Sequence, residues 1–275
     1  MTEPNAAGPR DGKSTIFHEI LASKLPAEEK TFQRLATDGG ALVGAGTVTT
    51  AWAITVAVFQ LLRHPGCLDK LKREISEAIP ASAAASRQEH AQLLPTLENL
   101  PYLSAVIQEA LRLSYGVSGR LARIAPDEVL KVQGKDHVTV RKDGECMERE
   151  WLIPPGTPVS MTQLLLCRDE RIFPSPFEFR PERWIEEPGL GKFQVAFNKG
   201  SRICLGKNLA LAETYLMLGT LFRLYGSRAV RVPEDLGFLE LWETDESDVE
   251  CSIDAFVPLP KIGSKGVRCK VYQRN

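Results

Sequence analysis

The 275 residues contain no CxxC pair, although Cys67, Cys146, Cys167, Cys204, Cys251 and Cys269 are spread along them. Thiols so scattered exclude a zinc ribbon and are too sparse for a disulfide-stapled scaffold. No Asn-x-Ser/Thr sequon occurs either, and the two absences together point to a reducing, cytosol-facing location. Charge of one sign is missing as well: 34 Lys and Arg stand against 35 Asp and Glu, a formal net charge of −1. That balance offers no bulk attraction to nucleic acid or to an acidic membrane, so no nucleic-acid partner is expected. The opening MTEPNAAGPRDGKST lacks the apolar stretch of a signal peptide. Its GPRDGKST is one glycine short of a phosphate-binding loop, because the position five before Gly12 is Ala7.

One absence cuts the other way. From Gly39 to Leu62 there is no charged residue, and that length is enough to cross a bilayer. The same run holds four glycines, four threonines and a glutamine, which are unfavourable in lipid unless packed against protein. It is therefore expected to be a buried central helix, with no transmembrane segment in the chain.

What remains is ordinary globular composition, 43% hydrophobic and 25% charged, with enough apolar mass for a sizeable core. Residues 1–14 read as a loose polar terminus and 15–275 as one structural part. The pattern predicts helix from about Thr15 to Lys24, a break at His64-Pro65-Gly66, an amphipathic helix over Asp69–Ile79 and a small-residue loop in ASAAASRQEH. Apolar residues at 103, 106, 107, 110 and 111 mark a helix opened by Pro101 and closed by Gly116. Short β-prone runs between 120 and 162 predict a small sheet, and the tail repeats that character in VECSIDAFVPLP and GVRCKVYQ. The fold class expected is mainly α with a small β-sheet subdomain.

Four stretches carry chemistry. EALR places Glu109 and Arg112 on one helical face; they read either as a solvated surface pair or, with Arg183 from the proline-fixed RPERW, as a buried ion network joining helix to loop. FNKGSRICLG sets Cys204 just before a helix, where free N–H groups and the positive dipole end favour a thiolate. Gly200 and Gly206 there allow sharp turning and close approach by a flat ligand, Arg202 can pair with an acid, and Phe197 can shield the sulfur. A metal ligand and a buried free cysteine both fit that loop. AGTVTT, residues 45–50, is either a helix-packing notch or a place where a bulky guest presses on the backbone, with Thr49 bonding back to a carbonyl or turning outward.

Taken together and in this order, AGTVTT, EALR, FRPERW and FNKGSRICLG resemble the cytochrome P-450 superfamily, and within it the fungal microsomal enzymes of secondary metabolism. The last stretch matches the family's FxxGxRxCxG loop at every defined position, and the resemblance runs from about Ser14 to the C-terminus. It implies the C-terminal part of that fold, with haem b ligated by Cys204 and a thiolate that pushes electron density onto iron. It implies Arg202, and less directly Arg123 of GRLARIAP, as partners of the haem propionates, and Phe197 beside the sulfur. Glu109, Arg112 and Arg183 become a structural ion triad, Ala45 and Gly46 face the haem, and Thr49 organises proton delivery to bound dioxygen.

The implied activity is a monooxygenase acting on a lipophilic small molecule, with electrons from NADPH through a reductase that docks near Lys199 and Lys207. Two departures keep other readings open. Val48 stands where the family usually has an acid, which favours an isomerase, dehydratase or peroxide-using relative. No WxxxR exists, since Val56, Pro155, Pro188 and Glu246 follow the four tryptophans at that spacing. The N-terminal half and membrane anchor of the family are thus expected to be absent, which also suggests a non-catalytic remnant. Relatives sit on the endoplasmic reticulum by that anchor, so the location of this chain stays unassigned.

Overall fold

The computed structural model describes residues 14–79, 87–140 and 146–274. The expected loose terminus therefore lies, but for Ser14, outside the described residues, as do residues 81–86 of the small-residue loop. Contacts divide the chain into two units, 1–51 and 52–275.

In the first unit, helix α1 (Ile16–Ala22) is opened by a capping box. The Thr15 hydroxyl accepts from the His18 amide, and the Thr15 amide donates to His18 Nδ1. A 3₁₀ turn over Ala27–Lys30 leads into α2 (Phe32–Arg63), a 32-residue helix whose C-terminal part belongs to the second unit. The expected break holds at His64-Pro65. The expected burial does not hold along the whole helix: residues 40–48 are exposed, Val43 at 71%. Side chains at Gly40, Gly44 or Gly46 would meet nothing within 4 Å among the described residues. By length and hydropathy, 1.7 over its most apolar window, α2 is the one helix among the described residues apolar enough to cross a membrane.

The second unit is built on α3 (Pro65–Ala78), α4 (Arg87–Glu98), α5 (Pro101–Leu113) and α8 (Lys207–Leu224), with the short α6 (Gln163–Cys167) and α7 (Arg183–Glu186). Leu61, Leu68, Leu71, Ile75, Leu103, Val106, Leu218 and Phe222 form the centre of its core. Residues 87–90, expected in a loop, are the first turn of α4. α5 starts at Pro101 with no side-chain cap of its own. Glu74 of α3 replaces the cap, its two carboxylate oxygens accepting from the Tyr102 and Leu103 amides at 2.7 and 2.8 Å.

Among the described residues the β structure is four small pieces. β1 (Arg123–Ile124) pairs with β4 (Pro158–Val159), and β2 (Leu130–Val140) with β3 (Cys146–Ile153), all antiparallel. The single small sheet expected over 120–162 is thus two separate ribbons, since Pro154 and the turn at Gly156 end β3 before β4 begins. β5 (Tyr225–Ser227) lies parallel to β6 (Gly237–Leu241), which pairs antiparallel with β9 (Cys269–Gln273). β7 (Ile253–Ala255) and β8 (Val257–Leu259) form a hairpin. The chain is mainly α with small β elements, as the sequence pattern requires.

Candidate functional site

The polar centre of the second unit is Glu109. Its residue is completely buried, as are Arg112 and Arg183 to within 2%. Arg112 grips it bidentately, Nε to Oε2 at 2.9 Å and Nη2 to Oε1 at 2.7 Å. Arg183 Nε adds a bond to Oε1 at 3.1 Å, and the Arg180 amide another at 3.1 Å. The remaining N–H groups of Arg112 go to the carbonyls of Cys167, Pro176 and Glu178, and those of Arg183 to Pro174 and Ser175. Prolines at 174 and 176 keep FPSPFEF out of any helix or ladder. Its carbonyls are therefore free to solvate two buried guanidiniums, which is why this segment is irregular. The surface-pair alternative for Glu109 and Arg112 is excluded by this burial.

Two members of the cluster escaped sequence reasoning. Trp184 Nε1 donates to Glu109 Oε2 at 2.8 Å, and Phe173 lies under the Arg112 guanidinium at 5.2 Å. Trp184 sits inside the FRPERW stretch and was available as a signal; Phe173 had none.

The Cys204 loop follows. Asn198 turns through φ +59° and Gly200 through φ +75°, the second a conformation that glycine adopts without strain. The chain then comes back so that the Cys204 amide donates to the Phe197 carbonyl at 2.9 Å. Helix α8 begins at Lys207, with Gly206 as its N-cap residue. Gly206 has an ordinary φ of −84°, so the turn does not require it. Its missing side chain instead leaves room beside the sulfur, 3.9 Å from where a Cβ would stand.

Cys204 is exposed, which removes the buried-thiol alternative. Cys167 shows the contrast: buried beside Arg112, its thiol is pushed up to about 11 by loss of hydration, the nearby cations only partly opposing this. Exposed apolar residues stand close to Cys204 in sequence: Ile203, Leu205 at 77% exposure and, in the first turn of α8, Leu209. The Arg202 guanidinium is exposed and makes no hydrogen bond or ion pair among the described residues. The Phe197 ring packs against the core while its carbonyl holds the Cys204 amide.

The other expected residues are placed as follows. Arg123 lies exposed on β1 and donates only to its neighbours' carbonyls, Leu121 and Ala122. Ala45, Gly46 and Thr49 lie on α2 in the first unit. Of the two options for the Thr49 hydroxyl, the structure has the local one, a bond to the Ala45 carbonyl at 2.8 Å. Val48 beside it is half exposed, at 51%. No group of three or more His, Cys, Asp or Glu capable of holding a metal occurs among the described residues. An open thiol with exposed apolar residues near it in sequence, and an exposed guanidinium two residues away, fits a flat apolar ring carrying a metal and acidic substituents.

A family model described as Cytochrome P450 matches residues 8–232. Among curated proteins, the chain is 46% identical over 259 residues to the cytochrome P450 monooxygenase tpcC of Cochliobolus heterostrophus, covering 94% of this chain and 46% of that protein. It is 46% identical to the cytochrome P450 monooxygenase astB of Talaromyces wortmannii over 266 residues, 94% of this chain and 50% of that one. To the tryptophan 6-hydroxylase fscE of Fusarium equiseti it is 40% identical, over 95% of this chain and 45% of that enzyme. The chain spans about half the length of the curated relatives it matches.

Proposed function

This chain belongs to the cytochrome P450 family, and from that premise we propose that it forms the thiolate-ligand part of a haem monooxygenase. The reaction proposed is insertion of one oxygen atom into a lipophilic small molecule of secondary metabolism, with NADPH electrons arriving through a flavoprotein reductase. The observation that carries the reading is Cys204, an exposed thiol fixed by its amide to Phe197 and backed by the N-terminus of α8. Haem, when bound, supplies the dioxygen chemistry, and thiolate ligation favours O–O cleavage.

The chain's own residues have distinct tasks. Cys204 presents its sulfur just before the start of α8. Leu205 and Leu209 offer apolar surface for the ring, and the Arg202 guanidinium is available to a propionate. The Glu109–Arg112–Arg183 cluster fixes α5 to the 174–178 segment. Thr49 holds its proton against the Ala45 carbonyl and keeps its oxygen lone pairs free to accept one. Val48 cannot carry a proton, so delivery past that position falls to water. Exposed Lys199 beside the loop offers positive charge to an acidic redox partner.

Val48 also favours a second reading, a haem-thiolate isomerase, dehydratase or peroxide-using enzyme that needs no proton relay. The test is the carbon monoxide difference spectrum of the reduced, haem-supplemented chain, followed by turnover with NADPH and reductase or with peroxide. A red-shifted Soret band lost in Cys204→Ala establishes the ligand. No haem uptake, or a band unchanged in that variant, overturns the assignment. Turnover with peroxide alone selects the second reading.

A further inference from the structure

We propose that Gln194 is a positioning residue for the Cys204 loop, tying its root to α5. The inference rests on the proposed role of Cys204 for its consequence but not for its geometry. Gln194 Nε2 donates to the backbone carbonyl of Gln108 at 2.9 Å and to its side-chain Oε1 at 3.1 Å. Its own Oε1 accepts from the Ala196 amide at 3.4 Å. One side chain therefore reads α5 through its donor and the loop through its acceptor.

The position of those contacts gives them leverage. Gln108 immediately precedes Glu109, whose carboxylate is held by five N–H donors, so the anchor point adjoins the buried ion cluster. Ala196 immediately precedes Phe197, whose carbonyl holds the Cys204 amide at 2.9 Å. The opposite side of the same root is also pinned. Gly116, at φ +58° just beyond α5, lies so close that a Cβ there would stand 2.6 Å from the Ala196 carbonyl and 3.1 Å from Gln163 Oε1. Gln163 Oε1 is itself buried without a hydrogen-bond partner among the described residues. The root is held between a hydrogen-bonded clamp at Gln194 and a steric stop at Gly116. Loss of the clamp leaves the Phe197–Cys204 bond intact but frees the segment that carries it.

The test uses the full chain, haem-free and haem-loaded, with Gln194→Met, which keeps volume and removes both polar functions. In the haem-free protein, amide hydrogen exchange is expected to rise about five-fold across 195–206, the equivalent of one ordinary hydrogen bond, with 101–113 unchanged. After haem loading, the reduced carbon monoxide complex is expected to convert on mild warming from the thiolate to the neutral-thiol form about five-fold faster. Gln108→Ala, which leaves the backbone acceptor in place, is expected to stay close to wild type in both readouts. Unchanged exchange across 195–206 overturns the proposal, and so does an equal rise in 195–206 and 101–113, which marks a merely structural role. If the wild type takes up no haem, the exchange arm still decides the clamp while the haem reading fails separately. If Gln194→Met does not fold, Gly116→Ala disturbs the same root from the other side, and protection there unchanged from wild type overturns the inference.

Discussion

Trp184 donates its indole N–H to Glu109 Oε2 at 2.8 Å. That bond makes Trp184 the fifth donor on a carboxylate with no access to solvent. A buried charge so fully paired is strongly destabilising to break, because removing one partner leaves the other uncompensated. Glu109→Gln is expected to lower stability by about 3–5 kcal/mol, because it leaves two buried guanidiniums without their counter-charge. Trp184→Phe removes one charge-assisted bond and is expected to cost about 1.5–3 kcal/mol. Urea unfolding followed by circular dichroism checks both, and equal losses for the two variants would contradict the ranking.

Lys72 of α3 is a buried ion that no motif announced. Its ammonium donates to Asp235 at 2.7 Å and to the carbonyls of Phe222 and Tyr225 at the end of α8. Lys72→Met alone strands the Asp235 carboxylate and is expected to cost about 3–5 kcal/mol. Adding Asp235→Leu is expected to recover part of that loss, since an apolar pair of similar volume avoids the desolvation penalty. A double-mutant cycle in urea measures the coupling, and strictly additive losses would show that the two charges do not depend on each other.

Asp248 governs part of the acid limb of stability. The Ser264 hydroxyl and then the Asp245 amide bond its carboxylate and hold it below the ordinary aspartate range, burial only partly opposing them. A depressed folded-state value means stability that is present above the unfolded value, about 3.9, and is lost as pH falls through the folded one. Asp248→Asn is expected to be less stable at neutral pH and to lose less on acidification. Urea midpoints from about pH 6 down to about pH 3 test this, and parallel curves would remove Asp248 from the account.

Thiol accessibility separates two cysteines in one experiment. Cys204 is exposed, while Cys167 is buried with its thiol pushed up to about 11. Brief alkylation of the haem-free native chain at neutral pH is expected to label Cys204 and spare Cys167, as read by peptide mass spectrometry. Labelling of Cys167 at a comparable rate would mean that the Glu109 cluster opens readily.

The turn before a helix at Cys204 and the Glu109–Arg112 pair were legible in the sequence, because both follow from residue type at short spacing. FNKGSRICLG states within ten residues a turn, a cation and a thiol before a helix; EALR states a shared helical face. The end of α2 before Pro65 and the start of α5 at Pro101 were legible for the same local reason, a missing N–H, whereas α3 begins at Pro65 itself and not at the expected Asp69. Tertiary structure alone decided the rest. Lys72 meets Asp235 across 163 positions, Gln194 meets Gln108 across 86, and Trp184 meets Glu109 across 75. No pattern of period or spacing reaches that far, since such pairs exist only once helices pack and desolvate the groups they bring together. The exposed stretch 40–48 of α2 makes the converse point. Its apolar, charge-free sequence says that burial would be favourable, whereas burial itself needs a neighbouring surface that only the folded arrangement supplies.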